Sequence, residues 1–167
     1  MMAKRRKKNW SKNLKKSPNV KLEPPKPFKS LHEYAVSDSF LKTGVEKFKG
    51  TMELFDFNNS AWGFNENFYK RDWCSEILPK LNSREEDTWK KIANERNTNN
   101  HTKHHHIDIS RIIKIAQKRL TDLNLDDSKE LYSFRLDGKK RLYGMLDYPI
   151  FKMVWYDSKH EVYPIFR

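Results

Sequence analysis

The 167-residue chain carries 34 Lys and Arg against 22 Asp and Glu, a formal charge of +12, with 37% hydrophobic residues and a mean hydropathy of −0.96. That length supports one domain plus a tail, and so polar a composition predicts that a sizeable segment stays outside any core. The single cysteine, Cys74, excludes an intrachain disulfide, and no apolar stretch approaches the roughly 18 residues that cross a bilayer, so a cytoplasmic protein without membrane insertion is expected.

The charge is unevenly placed. Residues 1–29 hold eleven cations against the single acid Glu23, which accounts for +10 of the +12. Pro18, Pro24, Pro25 and Pro27 limit any helix there, and no apolar run follows the basic start, so a secretory signal is not expected. This segment reads as a disordered basic arm. Lys4, Arg5, Arg6, Lys7 and Lys8 are its densest cluster, and such cations bind polyphosphate by releasing counterions without reading sequence. A solubilising tail or an electrostatic membrane anchor is the alternative; the scarcity of apolar residues favours RNA or the ribosome. Residues 30–167 read as one α+β domain, with a helical, aromatic-rich extension over 30–107 and a helix plus sheet over 108–167.

Within the extension, the pattern predicts a helix around Asp38–Lys49 with Phe40, Leu41, Val45 and Phe48 on one face. Phe55 and Phe57 alternate, as in a short strand or loop. The aromatics of residues 30–69 are expected to cover the core. Lys70–Leu81 places Trp73, Ile77 and Leu81 on one stripe, with Pro79 kinking or ending the helix. Cys74 is expected to fill a buried position beside Trp73. Ser83-Arg-Glu-Glu86 has the form of a capping box, opening a helix that turns Trp89, Ile92 and Ala93 inward. Asn94–His104 is polar and reads as a loop. A third helix, capped by Asp108 or Ser110, follows from the spacing of Ile109, Ile112, Ile113, Ala116, Leu120 and Leu123. Turn chemistry at 123–127 ends it.

Strands come next. Tyr132, Phe134 and Leu136 alternate with Ser133 and Arg135, and Asp137-Gly138 signals a hairpin into Arg141–Leu146. Asp147-Tyr-Pro149 turns into the apolar strand Ile150–Tyr156, and Asp157-Ser-Lys159 turns into a last strand, His160–Ile165. Short connections predict an antiparallel meander packed on the preceding helices.

Cations stand on these strands. Arg135 and Arg141 flank the Asp137-Gly138 turn, where a hairpin brings them to one face, and a planar guanidinium grips phosphate with two donors. His160, with an ordinary pKa of about 6.5, suits either proton-transfer role. The plain alternative is a set of solvated polar residues on an exposed sheet face. Trp155 is expected in the core, against the third helix. Tyr143 or Tyr156 is a candidate for stacking on a base, although core pairing is the commoner fate. His101 and His104-His-His106 suggest metal ligands, yet three consecutive histidines cannot easily converge on one ion and no cysteine lies nearby. A solvated loop is the expectation, with delivery of a histidine to the sheet face as the alternative. No metal and no cofactor is expected.

Tyr132-Ser-Phe-Arg-Leu136, Arg141-Leu-Tyr143, the apolar strand after them and Glu161-Val-Tyr163 together resemble the RelE/ParE toxin superfamily over residues 108–167. In its RelE-like branch a Tyr-Lys-x-Lys-Leu strand precedes a Tyr-Arg-Leu strand, and Glu-Val-Tyr closes the sheet. The resemblance implies a RelE-like sheet, with Arg135 at a catalytic lysine position, Arg141 at a phosphate-binding arginine position and Tyr163 at the late tyrosine. Lys159 or His160 falls near a late arginine, and Ser133 replaces the first lysine. It further implies a metal-independent endoribonuclease that cuts mRNA, with the ribosome as a site of action and a protein antitoxin as partner. Catalytic roles would fall to Arg135, Arg141, His160 and Tyr163, and RNA contacts to Lys139, Lys140, Tyr143, Lys159 and the arm. The ParE branch keeps the fold without the nuclease residues, so a non-catalytic module that binds nucleic acid or protein is the alternative.

Overall fold

Residues 37–63 and 68–164 are described by the computed structural model; the basic arm, Lys4 to Lys8 included, lies outside them. Three consecutive strands, β3 (Glu130–Asp137), β4 (Lys140–Asp147) and β5 (Ile150–Asp157), pair antiparallel through short turns. Alternation on β3 sends Tyr132 and Phe134 to one core cluster and Leu131 to the other. Gly138, at φ +43, supplies the left-handed turn residue between β3 and β4.

Two further strands complete the sheet. β1 (Lys49–Thr51) runs parallel to β5, and β2 (His105–Asp108) runs antiparallel to β3, giving the order β1-β5-β4-β3-β2. The sheet is therefore mixed, which corrects the wholly antiparallel expectation. The strand expected from His160 does not form: residues 160–164 make bends and turns. Asp157 ends β5 by accepting from the backbone N–H of Lys159 (3.1 Å) and of Val162 (2.8 Å), and His160 takes a left-handed φ of 68°. Ile165 lies outside the described residues.

Helices cover both faces, so the architecture is α+β in three layers. On one face α1 (Asp38–Leu41), the π-helical turn Phe68–Ile77 continuing into α2 (Leu78–Asn82), and α3 (Trp89–Ala93) set Leu41, Ile77, Leu81, Trp89 and Ile92 against Tyr132, Phe134, Leu142, Phe151, Met153 and Tyr156. Phe48 is the hub of this layer, with ring centroids 5.4 Å from Trp89 and 5.3 Å from Phe134. On the other face α4 (Lys114–Asp122) and its lead-in set Ile112, Ala116 and Leu120 against Leu131, Tyr143, Met145, Val154 and Trp155. Trp155 is in the core against this helix, as its apolar surroundings in sequence predict.

Several helices differ from expectation. The Asp38–Lys49 helix shrinks to Asp38–Leu41, because the chain turns at Thr43-Gly44 and Phe48 reaches the core from an extended segment, while Phe40 and Val45 stay exposed. The 70–81 helix forms with a π-helical first part, and Pro79 sits in the first turn of its α-helical part, where no backbone N–H is missed. That winding leaves Cys74 exposed rather than buried. The Ser83–Glu86 box does not cap; Thr88 does, its hydroxyl accepting from the Lys91 N–H (3.3 Å), and Trp89, Ile92 and Ala93 still face inward. Asp108 caps only a 3₁₀ turn, Ile109–Arg111, and Ile112 is extended, so the third helix begins at Lys114.

A bulge opposite Tyr143 and Gly144 breaks the β4–β5 alternation, which places the consecutive residues Val154 and Trp155 in the same core. Glycine is required there, since a Cβ at Gly144 would lie 2.2 Å from the Lys152 carbonyl oxygen. Next to the bulge, the Asp56 carboxylate accepts from Arg119 Nε (2.8 Å), Arg119 Nη2 (2.6 Å) and Trp155 Nε1 (3.1 Å). Asp56 is 2% exposed, whereas the Arg119 side chain keeps 28%. The asymmetry orders the variants. Arg119→Met strands a buried carboxylate and is expected to cost roughly 3–5 kcal/mol. Asp56→Asn leaves a cation that water can reach and should cost less. Urea unfolding of both variants checks this, and equal losses would contradict it.

Candidate functional site

The β3–β4–β5 register puts Arg135, Arg141 and Asp157 side by side across three strands, and His105, Ser133, Tyr143 and Trp155 in the neighbouring row across four. The two arginines thus share a face, as the hairpin predicts. The turn after β5 brings His160 and Tyr163 to that face, with their rings 6.5 Å apart and the Arg111 guanidinium 5.2 Å from the Tyr163 ring centre.

Two like charges directly opposite each other are unfavourable unless something offsets them. Asp157 is the register partner of Arg141, but its oxygens are turned to the 158–162 backbone. Arg141 Nη1 donates to the carbonyl oxygens of Gly138 and Lys140, both at 2.9 Å. Among the described residues neither Arg135 nor Arg141 forms an ion pair. Burial, and then the Arg135 charge, hold Arg141 below its ordinary pKa. Among the described residues the face therefore holds two guanidinium groups without an ion pair, the Asp157 charge offsetting Arg141 only in part.

Both histidines of the face are biased toward their neutral forms. Burial lowers the His160 pKa most, Arg141 adds to it and Asp157 opposes. His160 Nδ1 is buried without a hydrogen-bond partner. For His105 burial again leads, Asp38 opposes, and Arg141 adds to the lowering. The Tyr143 hydroxyl is pushed well above its ordinary range, first by burial and then by Asp157. Arg141 and then Ser133 favour its ionised form, yet among the described residues no hydrogen bond of normal geometry reaches the oxygen.

Other expected contacts fall elsewhere. Tyr143 and Tyr156 are buried and cannot stack on a base, because the bulge and both helical layers enclose them. Lys140 is drawn to the opposite face by an ion pair with Glu76. Lys139 and Lys159 are exposed, with Lys159 Nζ 3.9 Å from Glu161. The histidine run is not a solvated loop: His105 and His106 belong to β2, and His104 and His106 pack on Phe134 and Tyr132 of one core cluster while His105, between them, pairs with Ser133. His104 is 1% exposed, stacked on Phe134 at 4.3 Å, and its Nδ1 accepts from the Arg135 N–H (3.1 Å), which directs the neutral ring's proton to Nε2, 3.5 Å from Glu95. His106 Nδ1 lies 2.6 Å from Asp38 Oδ1. Arg111 joins the site without having been singled out from sequence, whereas His105 is the member of the histidine run that stands on this face of the sheet, paired with Ser133; the alternation His105-His-Ile107-Asp was the available signal for its strand, masked by the Asn-rich stretch before it.

Comparison with family models, curated proteins and solved structures returns no match. Among the described residues no helix is long and apolar enough to cross a membrane.

His104, His105 and His160 all have lowered pKa values, each with burial as the largest cause. The unfolded chain therefore takes up protons first as the pH falls through about 6.5, and stability present above that value is lost below it. Thermal melts from pH 8 to pH 5 should show a plateau and then a decline. His104→Gln should reduce the slope of that decline; an unchanged slope would assign it to other groups.

Proposed function

We propose that the chain is a toxin-type endoribonuclease that cleaves mRNA without a metal ion, in the manner of the RelE-like enzymes its last strands resemble. The observation that carries this reading is the Arg135–Arg141 pair, without an ion pair among the described residues, with His160 and Tyr163 beside it. Neutral His160 takes the proton of a ribose 2′-hydroxyl, and that oxygen forms a bond to the adjacent phosphorus. Arg135 and Arg141 stabilise the charge that gathers on the phosphoryl oxygens, the electrostatic contribution that is commonly the largest. The bond from phosphorus to the 5′-oxygen breaks, and Tyr163 gives that oxygen a proton, regained through His160. The products are a 2′,3′-cyclic phosphate and a 5′-hydroxyl. The arm and Lys139 and Lys159 add contacts to the RNA backbone, on free message or on the ribosome. An acidic antitoxin segment covering the arginine face is the expected protein partner.

The test is a 5′-labelled RNA incubated with the full chain in EDTA, with and without ribosomes. Discrete fragments with 2′,3′-cyclic or 3′-phosphate ends are expected, lost with His160→Ala and reduced about 10²–10³-fold with Arg141→Gln, while RNA affinity changes little. The rate should fall on acidification as His160 becomes protonated, at a pH below the ordinary histidine range because burial lowers its pKa. Absence of fragments under both conditions, with a salt-dependent gel shift retained, would replace this reading with a binding protein that acts by occupancy.

A further inference from the structure

A second cationic site lies at the open end of β3. A cleft of about 280 Å³ is lined there by Arg84, Arg96, Lys103 and Arg135, with Glu95 and Asp137 as its acids. Glu95 is already occupied: Arg84 grips its carboxylate, Lys103 Nζ lies at 3.3 Å and His104 Nε2 at 3.5 Å. Together these neighbours hold Glu95 well below the usual carboxylate range. Asp137 leans toward Lys80 Nζ, 3.8 Å away. Arg96 spends one nitrogen on the carbonyl oxygens of Ala93 and Glu95 and on Thr102, and forms no ion pair among the described residues. The cleft thus presents Arg96 and Arg135, backed by Lys103, with no free acid between them.

We infer that this cleft binds a phosphomonoester, the doubly charged end of a nucleotide or of an RNA strand. Guanidinium groups hold such a group through paired charged hydrogen bonds, and the ammonium of Lys103 adds a point charge. Its volume lies at the lower limit for ligand pockets, which suits one phosphorylated sugar and not a run of nucleotides. The inference goes beyond the cleavage reading and does not depend on it, because Arg84, Arg96 and Lys103 stand outside the proposed reaction.

Calorimetry with the full chain tests it. The probe is a short 2′-O-methyl oligonucleotide, which has no free 2′-hydroxyl to attack, in 5′-phosphorylated, 3′-phosphorylated and unphosphorylated forms. Wild type should bind at least one phosphorylated form about tenfold more tightly than the unphosphorylated one. Arg96→Gln and Lys103→Gln should each erase most of that preference, while Lys118→Gln, an exposed change on α4, should leave it intact. A nucleoside monophosphate that competes identifies free nucleotide as the source, and failure to compete identifies the strand end. No preference in wild type, or equal loss with Lys118→Gln, would overturn the site. Since the probe cannot be cleaved by 2′-hydroxyl attack, that failure is separate from any failure of the nuclease assay.

Discussion

The contact on which the rest of the structure depends is the Asp56 carboxylate under Arg119 and Trp155. A carboxylate at 2% exposure is tolerable only when its lone pairs are filled, and here a helix and a central strand fill them. The Asp56 N–H in turn donates to the Val154 carbonyl oxygen (3.0 Å). Asp56 thereby fastens the 52–63 segment to β5 and α4 and lays Trp62 over Trp155, with ring centroids 5.5 Å apart. Gly63 makes this possible, since a Cβ there would lie 2.0 Å from the Asp56 carbonyl oxygen.

That clasp also decides where the sheet stays polar. Apolar cover from α4 and Trp62 reaches the row containing Tyr143 and Trp155. One row further on stand Arg135, Arg141 and Asp157. There the covering element is the 158–163 turn, which offers backbone N–H groups to the Asp157 oxygens, so that Asp157 acts on Arg141 through its charge and not through a direct ion pair. The left-handed His160 is part of that turn, and a residue held in this region is strained relative to ordinary backbone, as is common at functional sites. The cost of the turn and the exposure of the arginine pair have one origin.

How much of this was legible follows from length and periodicity. The hairpin from β3 to β4 and the Arg135–Arg141 juxtaposition were readable, because period-2 alternation and Asp137-Gly138 each determine a register. β1 and β2 were not: Lys49-Gly-Thr51 has no alternation to read, and β2 opens on two histidines behind a polar stretch. Both strands exist because long-range pairing at the edges of a meander supplies what local propensity lacks. The bulge was equally hidden. Sequence alternation sends Trp155 and Tyr156 to opposite faces, as observed, but it does not show that Val154 shares the face of Trp155. Helix ends were misplaced at Asp38–Lys49 and at 109–113 for a related reason: the apolar spacing persists where the backbone is extended.

Arg135 connects these two levels. It pairs with Arg141 across the hairpin and also lines the cleft, while its N–H is held by buried His104, whose other nitrogen faces Glu95. Glu95 is held in its ionised form by His104 first and then by Arg84, with Lys103 Nζ at 3.3 Å. A chain of charged and hydrogen-bonded groups therefore runs from the cleft wall to the backbone of Arg135. The link at His104 Nε2 is electrostatic, because that buried atom stands 3.5 Å from Glu95 and has no hydrogen-bond partner among the described residues. An anion drawn into the cleft would compete with Glu95 for Arg84 and Lys103, and the first group to feel the change would be His104, then the strand that carries Arg135. On this geometry the two cationic sites are neighbours that share Arg135.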